Sequence, residues 1–266
     1  MNIIVCIKQV PDPEGPQECF VINPETWRVE PRGIPPMLSL FDENALEAAL
    51  RIKDVHQDEV KITVVSIGKR ISDAVLQKAL AVGADELVKV EGEAFESAGL
   101  DSFATATALG AAIRKLGAYD LILAGRQAAD WNAGQVGVFL AGLLGIPAVT
   151  LARKVDIQGA HVVVERVLPS GYEKVRTLLP AVVIASNEIG EMRYPTMIQR
   201  REAKKKPVKA WRAEDIGFEG ATRNRLVLRR LFPPKMRQGQ CQLIAGETLA
   251  EAGRNLAQRL RRDGVL

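Results

Sequence analysis

Two hydrophobic patterns alternate along the first two thirds of the chain. Uninterrupted apolar runs, such as those around Ile3, Val64 and Ile122, predict strands buried on both faces, as in a parallel sheet. Apolar residues three and four apart predict helices between them. Strands are predicted at residues 2–7, 59–67, 86–90, 121–124, 148–150 and 181–186, and helices at residues 42–55, 72–82, 102–116 and 135–144. This order predicts an α/β protein with an open, mostly parallel, doubly wound sheet.

Two insertions interrupt the alternation. Residues 12–37 are rich in Pro and Gly and predict a hairpin or an irregular excursion, with a turn at residues 23–26. Residues 155–177 predict a second hairpin, with a turn near residues 169–171.

The character of the chain changes after Pro207. Residues 211–234 are basic, interrupted by prolines and only weakly periodic, and a last helix is predicted at residues 248–262. Such a tail rarely forms a core of its own. We therefore predict a domain at residues 1–206 and, at residues 207–266, an arm that lies on a partner subunit.

The loop after the strand at residues 121–124 is a candidate phosphate site. It is polar and built of small residues, and it leads into an apolar helix, so backbone N–H groups and the positive end of a helix dipole point at one spot. Gly134 and Gly137 let the backbone approach a ligand closely. The loop is neither a Walker A sequence nor a dinucleotide fingerprint. The alternative is a strand–helix turn that binds nothing.

Composition favours a globular protein without a membrane span. The 266 residues are 47% hydrophobic and 26% charged, and no apolar run is long enough to cross a bilayer. The apolar run at residues 3–7 is too short for a signal peptide, so a cytoplasmic location is predicted. Three scattered cysteines and two histidines predict neither a disulfide framework nor a metal site.

The basic residues are unevenly placed. The net charge is +4, and Lys and Arg crowd at residues 200–201, 204–206, 223–230 and 259–262. Aromatic residues make up only 5% of the chain and do not alternate with these clusters, so no stacking surface for nucleic acid is expected. An acidic protein partner explains the basic clusters better.

Six blocks of sequence resemble, in order, the β subunit of electron transfer flavoproteins. They are Lys8-Gln9-Val10-Pro11-Asp12, residues 41–50, residues 79–85, Gly125-Arg126-Gln127-Ala128-Ala129-Asp130, residues 179–183, and Glu191-Met192-Arg193-Tyr194-Pro195-Thr196 with the run at residues 203–207 behind it. The resemblance covers nearly the whole chain up to Pro207.

The resemblance implies a heterodimer whose α subunit carries the redox FAD. The β subunit would have a Rossmann-like fold of the adenine nucleotide alpha hydrolase type. It would hold AMP or, in electron-bifurcating members, a second FAD. The matching nucleotide positions are Cys6, Ser39, Leu40, Phe41, Asp42, Ile67, Gly125, Arg126, Gln127, Ala128, Ala129, Asp130, Trp131, Asn132, Ala133, Gly134, Gln135 and Val136.

Physical chemistry agrees with these positions. The N–H groups of Gly134, Gln135 and Val136 lie at a predicted helix start, where they can take a phosphate. The small side chain of Cys6 leaves room for adenine beside the first strand. A buried core thiol is the alternative for Cys6, and both can hold together.

Residues 191–200 resemble the recognition loop with which this family docks on dehydrogenases. Arg193, Tyr194 and Met197 are the docking residues that the resemblance implies, and Met197 stands where the family usually has Leu. An exposed apolar side chain there can anchor in a partner's pocket. The run at residues 204–206 is either a solvated face or a surface that steers an acidic partner.

Three departures from the family pattern bear on function. The acidic residue that the family often carries after the Glu-Arg pair of the second hairpin is Val167 here, so any ion pair that this residue makes to the flavin domain would be absent. The sequence after Met197 lacks the usual Leu-Pro continuation, so the partner need not be an ordinary acyl-CoA dehydrogenase. The ending of the nucleotide loop resembles FAD-binding members, yet Ala133 replaces their common Thr. AMP is slightly favoured over FAD.

The resulting hypothesis is an electron carrier rather than an enzyme. No activated nucleophile or acid–base pair is visible, so no catalytic residue is predicted. Electrons are expected to pass from a dehydrogenase, through FAD, to a quinone reductase or another acceptor. An electron-bifurcating β subunit is the alternative within the family. A non-redox adenine-nucleotide-binding protein and a structural subunit with an empty site are alternatives of other classes.

Overall fold

The computed structural model describes residues 1–56, 59–96, 100–219, 224–233, 239 and 241–266. The described strands are β1 (Asn2–Ile7), β2 (Gln9–Pro11), β3 (Phe20–Asn23), β4 (Arg28–Pro31), β5 (Pro36–Leu38), β6 (Lys61–Gly68), β7 (Glu86–Glu91), β8 (Leu121–Gly125), β9 (Ala148–Gln158), β10 (His161–Leu168), β11 (Gly171–Leu178), β12 (Ala181–Ala185) and β13 (Val208–Trp211). The described helices of the α type are α1 (Leu40–His56), α2 (Asp73–Val82), α3 (Ser102–Leu116), α4 (Val136–Leu144), α5 (Met197–Ala203) and α6 (Leu249–Arg262).

Nine of the described strands form one sheet, in the order β11-β10-β9-β12-β8-β1-β6-β7-β13. Every pair from β9 to β13 in this order is parallel, and only β10 and β11 run antiparallel to their neighbours. From β1 the chain first adds β6 and β7 on one side and then returns to add β8 on the other. The order of the strands therefore reverses between β1 and β8, which is where open sheets of this kind bind ligands.

Helices cover both faces of the sheet, as predicted. Strand residues such as Ile3, Val5 and Leu123 pack with α1 and α2 in one core. Their neighbours in sequence, such as Ile4 and Ile122, pack with α3 and α4 in a second core on the opposite face. Because successive side chains of a strand point to opposite faces, residues of the same apolar run contribute to both cores. The predicted doubly wound α/β class is confirmed.

The two insertions add strands at the periphery. β3 and β4 form the first hairpin, and the predicted turn at residues 23–26 joins them. The second insertion is longer than predicted, because the strand expected at residues 148–150 continues through the whole of β9 and pairs with β10. Leu151 adopts a φ of 57° and the β9–β12 register shifts nearby. β9 is parallel to β12 at its start and antiparallel to β10 along the rest of its length.

The chain after Pro207 returns to the sheet before the tail begins. β13 pairs with β7, and Lys209 of β13 forms an ion pair with the buried Glu86. The structure divides into the compact units Met1–Leu231 and Phe232–Leu266, so its division lies later than the predicted boundary at residue 206. The second unit contains α6, which has no buried residue. Among the described residues, no helix is long and apolar enough to cross a membrane.

Candidate nucleotide site and recognition loop

Three strands place their carboxyl ends side by side at one edge of the sheet. Cys6 of β1 lies opposite Val65 of β6 and Ala124 of β8. Ile67 lies near the end of β6, and Gly125 is the last residue of β8. The structure therefore brings together Cys6, Ile67 and the start of the loop at residues 125–136, as predicted from the sequence.

Asp42 joins the ends of β1 and β8, the two strands between which the strand order reverses. Its carboxylate accepts hydrogen bonds from the backbone N–H of Lys8, at 2.8 Å, and from that of Gly125, at 3.2 Å. The helix that carries it begins at Leu40, earlier than the predicted start at Asp42 or Glu43. The earlier start follows from a long-range contact: the backbone N–H of Ser39 donates to the carbonyl of Lys8, so the helix starts directly beside β1.

Gly125 is required because this approach is very close. A Cβ at this position would lie 2.4 Å from Oδ1 of Asp42 and 2.5 Å from the backbone carbon of Phe41. Such distances leave no room for any side chain. The first turn of α1 is therefore packed directly on the end of β8.

Burial changes the ionisation of two groups at this edge. Burial raises the pKa of Asp42 from 3.8 to about 7, although hydrogen bonds from the N–H groups of Lys8 and Gly125 act in the opposite direction. Burial and the charge of Asp42 raise the pKa of the Cys6 thiol to about 12. Cys6 is therefore an unreactive thiol at neutral pH, which agrees with its alternative role in the core.

We expect this raised pKa to make folding stability depend on pH. The carboxyl of Asp42 binds its proton more tightly in the folded state, so its protonated form stabilises the fold fully below about pH 4, and this stabilisation is lost as the pH rises through 7. The loss amounts to about 4 kcal/mol. Thermal unfolding of wild type and Asp42→Asn should show the wild type losing stability relative to the variant between pH 4 and pH 8. Parallel pH profiles of the two proteins would contradict the assignment.

The loop at residues 126–135 presents unpaired backbone donors. Asn132 and Gly134 both have positive φ, at 51° and 65°, which turns successive peptide groups toward one side. Gln127 holds Asn132 through a side-chain hydrogen bond of 3.0 Å. Gln135 precedes α4 without capping it by its side chain. Within the described part of the chain, no acceptor bonds to the N–H of Gly134 or Gln135.

The helix that follows the loop fits closely against the sheet. α4 begins at Val136, one residue after the predicted start, and a Cβ on Gly137 would lie 2.8 Å from Ile184. Its uncapped N-terminus adds the positive end of its dipole to the free N–H groups of the loop. This arrangement fits a phosphate group.

The remaining predicted site residues lie around this loop with different exposure. Ser39 is buried, and its hydroxyl has no partner among the described residues. Arg126 stacks over the ring of Phe41 at 5.1 Å, and Asp130 forms an ion pair of 2.7 Å with Lys8. Ile67, Phe41, Val136 and residues 125–129 are half-buried, whereas Leu40 and residues 130–135 are exposed.

The predicted set of site residues leaves out part of the same edge. A cavity of about 390 Å³ is lined by Lys8, Gln9, residues 67–71 and Glu96. Gln9 holds it open by bonding to the carbonyl of Arg70 and the N–H of Ser72. The signal in the sequence is that polar and cationic residues directly follow both β1 and β6. No group of His, Cys, Asp and Glu in the described residues is arranged to hold a metal ion.

The predicted recognition loop, residues 191–200, lies after β12 and ends in the short helix α5. Thr196 and Gln199 form a capping box that fixes the start of this helix. The side chains of Tyr194, Met197 and Ile198 are 82%, 72% and 75% exposed. Ile198 was not predicted as a docking residue, although it adjoins Met197 and precedes a basic run. Together, Tyr194, Met197 and Ile198 form the apolar patch of the recognition loop.

Two basic residues predicted to face a partner are bound within the chain. Arg193 pairs with Glu47 and Asp54 of α1. Lys206 donates to the carbonyls of Leu80 and Ala84 at the end of α2, at 2.9 and 2.6 Å. Burial lowers the pKa of Lys206. Of the predicted basic run, Lys204 and Lys205 remain on the surface.

Comparison with known proteins identifies the family. The model of the electron transfer flavoprotein domain matches residues 26–216. The chain belongs to the electron transfer flavoprotein family. It is 38% identical, over the full length of both chains, to the electron transfer flavoprotein subunit beta of Thermoanaerobacterium thermosaccharolyticum. The resemblance seen in the sequence is thereby confirmed.

Two further relatives are similar to this chain over its full length. The chain is 34% identical to the caffeyl-CoA reductase-Etf complex subunit CarD of Acetobacterium woodii, over the full length of both. It is 33% identical to protein FixA of Azorhizobium caulinodans, which covers all of this chain and 96% of the relative. The similarity therefore includes the tail as well as the α/β domain.

Proposed function

We propose that this chain is the β subunit of a heterodimeric electron transfer flavoprotein and binds AMP at the edge of its sheet. The observation that carries the nucleotide assignment is the junction of β8 and α4, where free N–H groups and a helix N-terminus meet. It lies beside the point where the strand order reverses, and family membership supports the electron-transfer role.

Different residues of the proposed site are suited to hold the phosphate and the base of the nucleotide. The N–H groups of Gly134, Gln135 and Val136 are suited to hold the phosphate. The unpartnered hydroxyl of Ser39 and the small thiol of Cys6 lie toward the strands, where a base or ribose can pack. Asp42 touches both strand ends and so keeps the two halves of the site at a fixed distance.

A second FAD in this subunit is the other candidate, and the cavity beside Ile67 favours it. Its volume of about 390 Å³ lies within the range of small-molecule sites, and it lies at the ends of β1 and β6, at the same edge of the sheet as the nucleotide loop. A dinucleotide needs room beyond the AMP portion, and this cavity offers it. Such a subunit would serve electron bifurcation.

The chemistry of electron transfer belongs to the FAD that the α subunit is proposed to carry, which accepts and donates electrons when bound. The present chain forms one wall around that flavin and docks the donor through the recognition loop. Electrons are proposed to come from a dehydrogenase and to pass to a quinone reductase or another acceptor. A non-redox nucleotide-binding protein would have no use for the exposed apolar patch at Tyr194, Met197 and Ile198.

Replacing Met197 by glutamate should weaken docking of the donor dehydrogenase. A charge in the centre of an apolar anchor must be desolvated on binding, so we expect the KM for the heterodimer to rise by at least about 10-fold. The flavin content should stay unchanged because Met197 is 72% exposed. Val55→Glu, at a 75% exposed position on α1, serves as the control. Equal effects of the two variants, or loss of flavin in Met197→Glu, would contradict a docking role.

A further inference from the structure

The recognition loop is attached to helix α1 by one arginine. The Arg193 guanidinium donates to Glu47 at 3.1 and 3.0 Å and to Asp54 at 3.1 and 2.7 Å. Its backbone N–H donates to Glu47 as well, at 3.1 Å. Five hydrogen bonds thus connect a single residue of the loop to two carboxylates of one helix.

The surroundings of this attachment favour a fixed geometry. The side chain of Glu47 is only 6% exposed, and that of Arg193 is 34% exposed. Burial works against the charge of Glu47, but hydrogen bonds from Arg193 and from Arg51 outweigh it and hold the pKa of this carboxyl below its usual value. Hydrogen bonds from Arg193 likewise lower the pKa of Asp54. Both carboxylates are therefore charged at neutral pH, and the planar guanidinium binds them together.

Two further contacts hold the chain on either side of Arg193. The amide of Asn44 donates to the carbonyl of Gly190 at 2.7 Å. Met192 is buried in the core that α1 shares with the sheet. The chain leaves this attachment at Tyr194, whose side chain is 82% exposed, and the apolar patch follows directly.

We propose that Arg193 is a positioning residue, which orders the recognition loop through Glu47 and Asp54 and does not itself contact the donor protein. This inference rests on the proposed docking function of the loop. The guanidinium uses its donors within the chain, whereas Tyr194, Met197 and Ile198 point their apolar surface outward. Because Arg193 already restricts the free loop, the loop loses less conformational freedom when it binds the donor.

Amide hydrogen exchange of the heterodimer tests directly whether Arg193 orders the recognition loop. Arg193→Gln should raise amide exchange across residues 190–196 by about 10-fold or more, because the ordered loop then opens locally. Asp54→Asn should raise it less, since Glu47 still binds the arginine. Adding Asp54→Asn to Arg193→Gln should change nothing further, because Asp54 acts only through Arg193. Unchanged exchange in Arg193→Gln would overturn the proposal.

A matched control lies on the same helix. Glu43 of α1 pairs with Lys78 at 2.6 Å, so Glu43→Gln removes an ion pair of the same kind that does not involve the loop. This variant should leave exchange at residues 190–196 as in the wild type. An equal rise in Glu43→Gln and Arg193→Gln would mean that the effect is a general loosening of α1, which would overturn the specific role of Arg193.

Kinetics separate positioning from direct contact. With the dehydrogenase that reduces the wild-type heterodimer fastest among a panel of flavin-dependent dehydrogenases, Arg193→Gln should raise KM by about 10-fold and leave kcat unchanged. Asp54→Asn should raise KM in the wild type and not in Arg193→Gln. A KM increase in Arg193→Gln without a rise in hydrogen exchange at residues 190–196 would show that the arginine touches the donor. If Met197→Glu has no effect on KM, docking by the loop is wrong, while hydrogen exchange still decides whether Arg193 orders it.

Discussion

Gly125→Ala is expected to empty the nucleotide site and to destabilise the subunit by about 3 kcal/mol, because overpacking a well-packed site costs this much. The added methyl would meet Oδ1 of Asp42 at 2.4 Å and the carbonyl oxygen of Phe41 at 2.6 Å. Backbone cannot move aside as a flexible side chain can. The first turn of α1 would therefore shift away from β8, and the bond between Asp42 and the N–H of Gly125 would break.

Gly142→Ala is the matched control for this change. Gly142 lies within α4, and a Cβ there meets nothing within 4 Å. Alanine should stabilise this helix by about 0.5–1 kcal/mol relative to glycine. Acid release followed by chromatography measures AMP in each purified protein. Full AMP content in Gly125→Ala would contradict the proposed site, because the loop at residues 125–136 would then hold its ligand without the close approach of α1.

Removing residues 232–266 is expected to abolish the heterodimer and leave the α/β unit folded. Helix α6 has no buried residue, and Leu249 on its apolar side is 94% exposed. Leu256 and Leu260 follow Leu249 at a helical spacing, so they form one stripe that needs a partner. The proposed partner is the α subunit.

The point of truncation matters for this experiment. A deletion from Pro207 would also remove β13 and expose β7 as an edge, so loss of the heterodimer would not report on the tail alone. Truncation after Leu231 keeps the compact unit Met1–Leu231 whole. Co-purification with a tagged α subunit gives the result, and circular dichroism of the truncated chain checks its fold. A truncated chain that still binds the α subunit would show that the tail is not the arm of the heterodimer.

The sequence predicted the parallel part of the sheet well because its signals are local. Apolar runs such as Ile3–Ile7 are buried on both faces, and Gly83, Gly117 and Gly145 end helices where predicted. The beginning of α1 was less predictable. It depends on the bond between Ser39 and Lys8, which are far apart in the sequence, and no local signal reports this contact.

Long-range pairing explains the other differences. β13 is short and its residues are mostly exposed, so its pattern does not mark it as a strand, and its place is fixed by β7 and Glu86. Leu151 gives no sign in the sequence of the positive φ that it adopts within β9. A bulge with positive φ at a leucine depends on the surrounding sheet rather than on local preference.

The candidate site was predicted as a set of positions, but not as a set of roles. The resemblance gave Asp42 and Arg193 as residues that touch a ligand or a partner. In the structure, Asp42 joins Lys8 to Gly125, and Arg193 joins the recognition loop to α1. Both roles depend on hydrogen bonds between residues far apart in sequence. Such contacts follow from the fold and cannot be read from spacing along the chain.

The most direct test of the account is the cofactor content of the heterodimer. The chain is produced together with its α subunit, the cofactors are released with acid, and FAD and AMP are counted per heterodimer. We expect one FAD and one AMP. Two FAD and no AMP would replace the AMP assignment by a second flavin site and favour electron bifurcation. A stable heterodimer with FAD but without any nucleotide in this subunit would contradict the proposed site at the junction of β8 and α4.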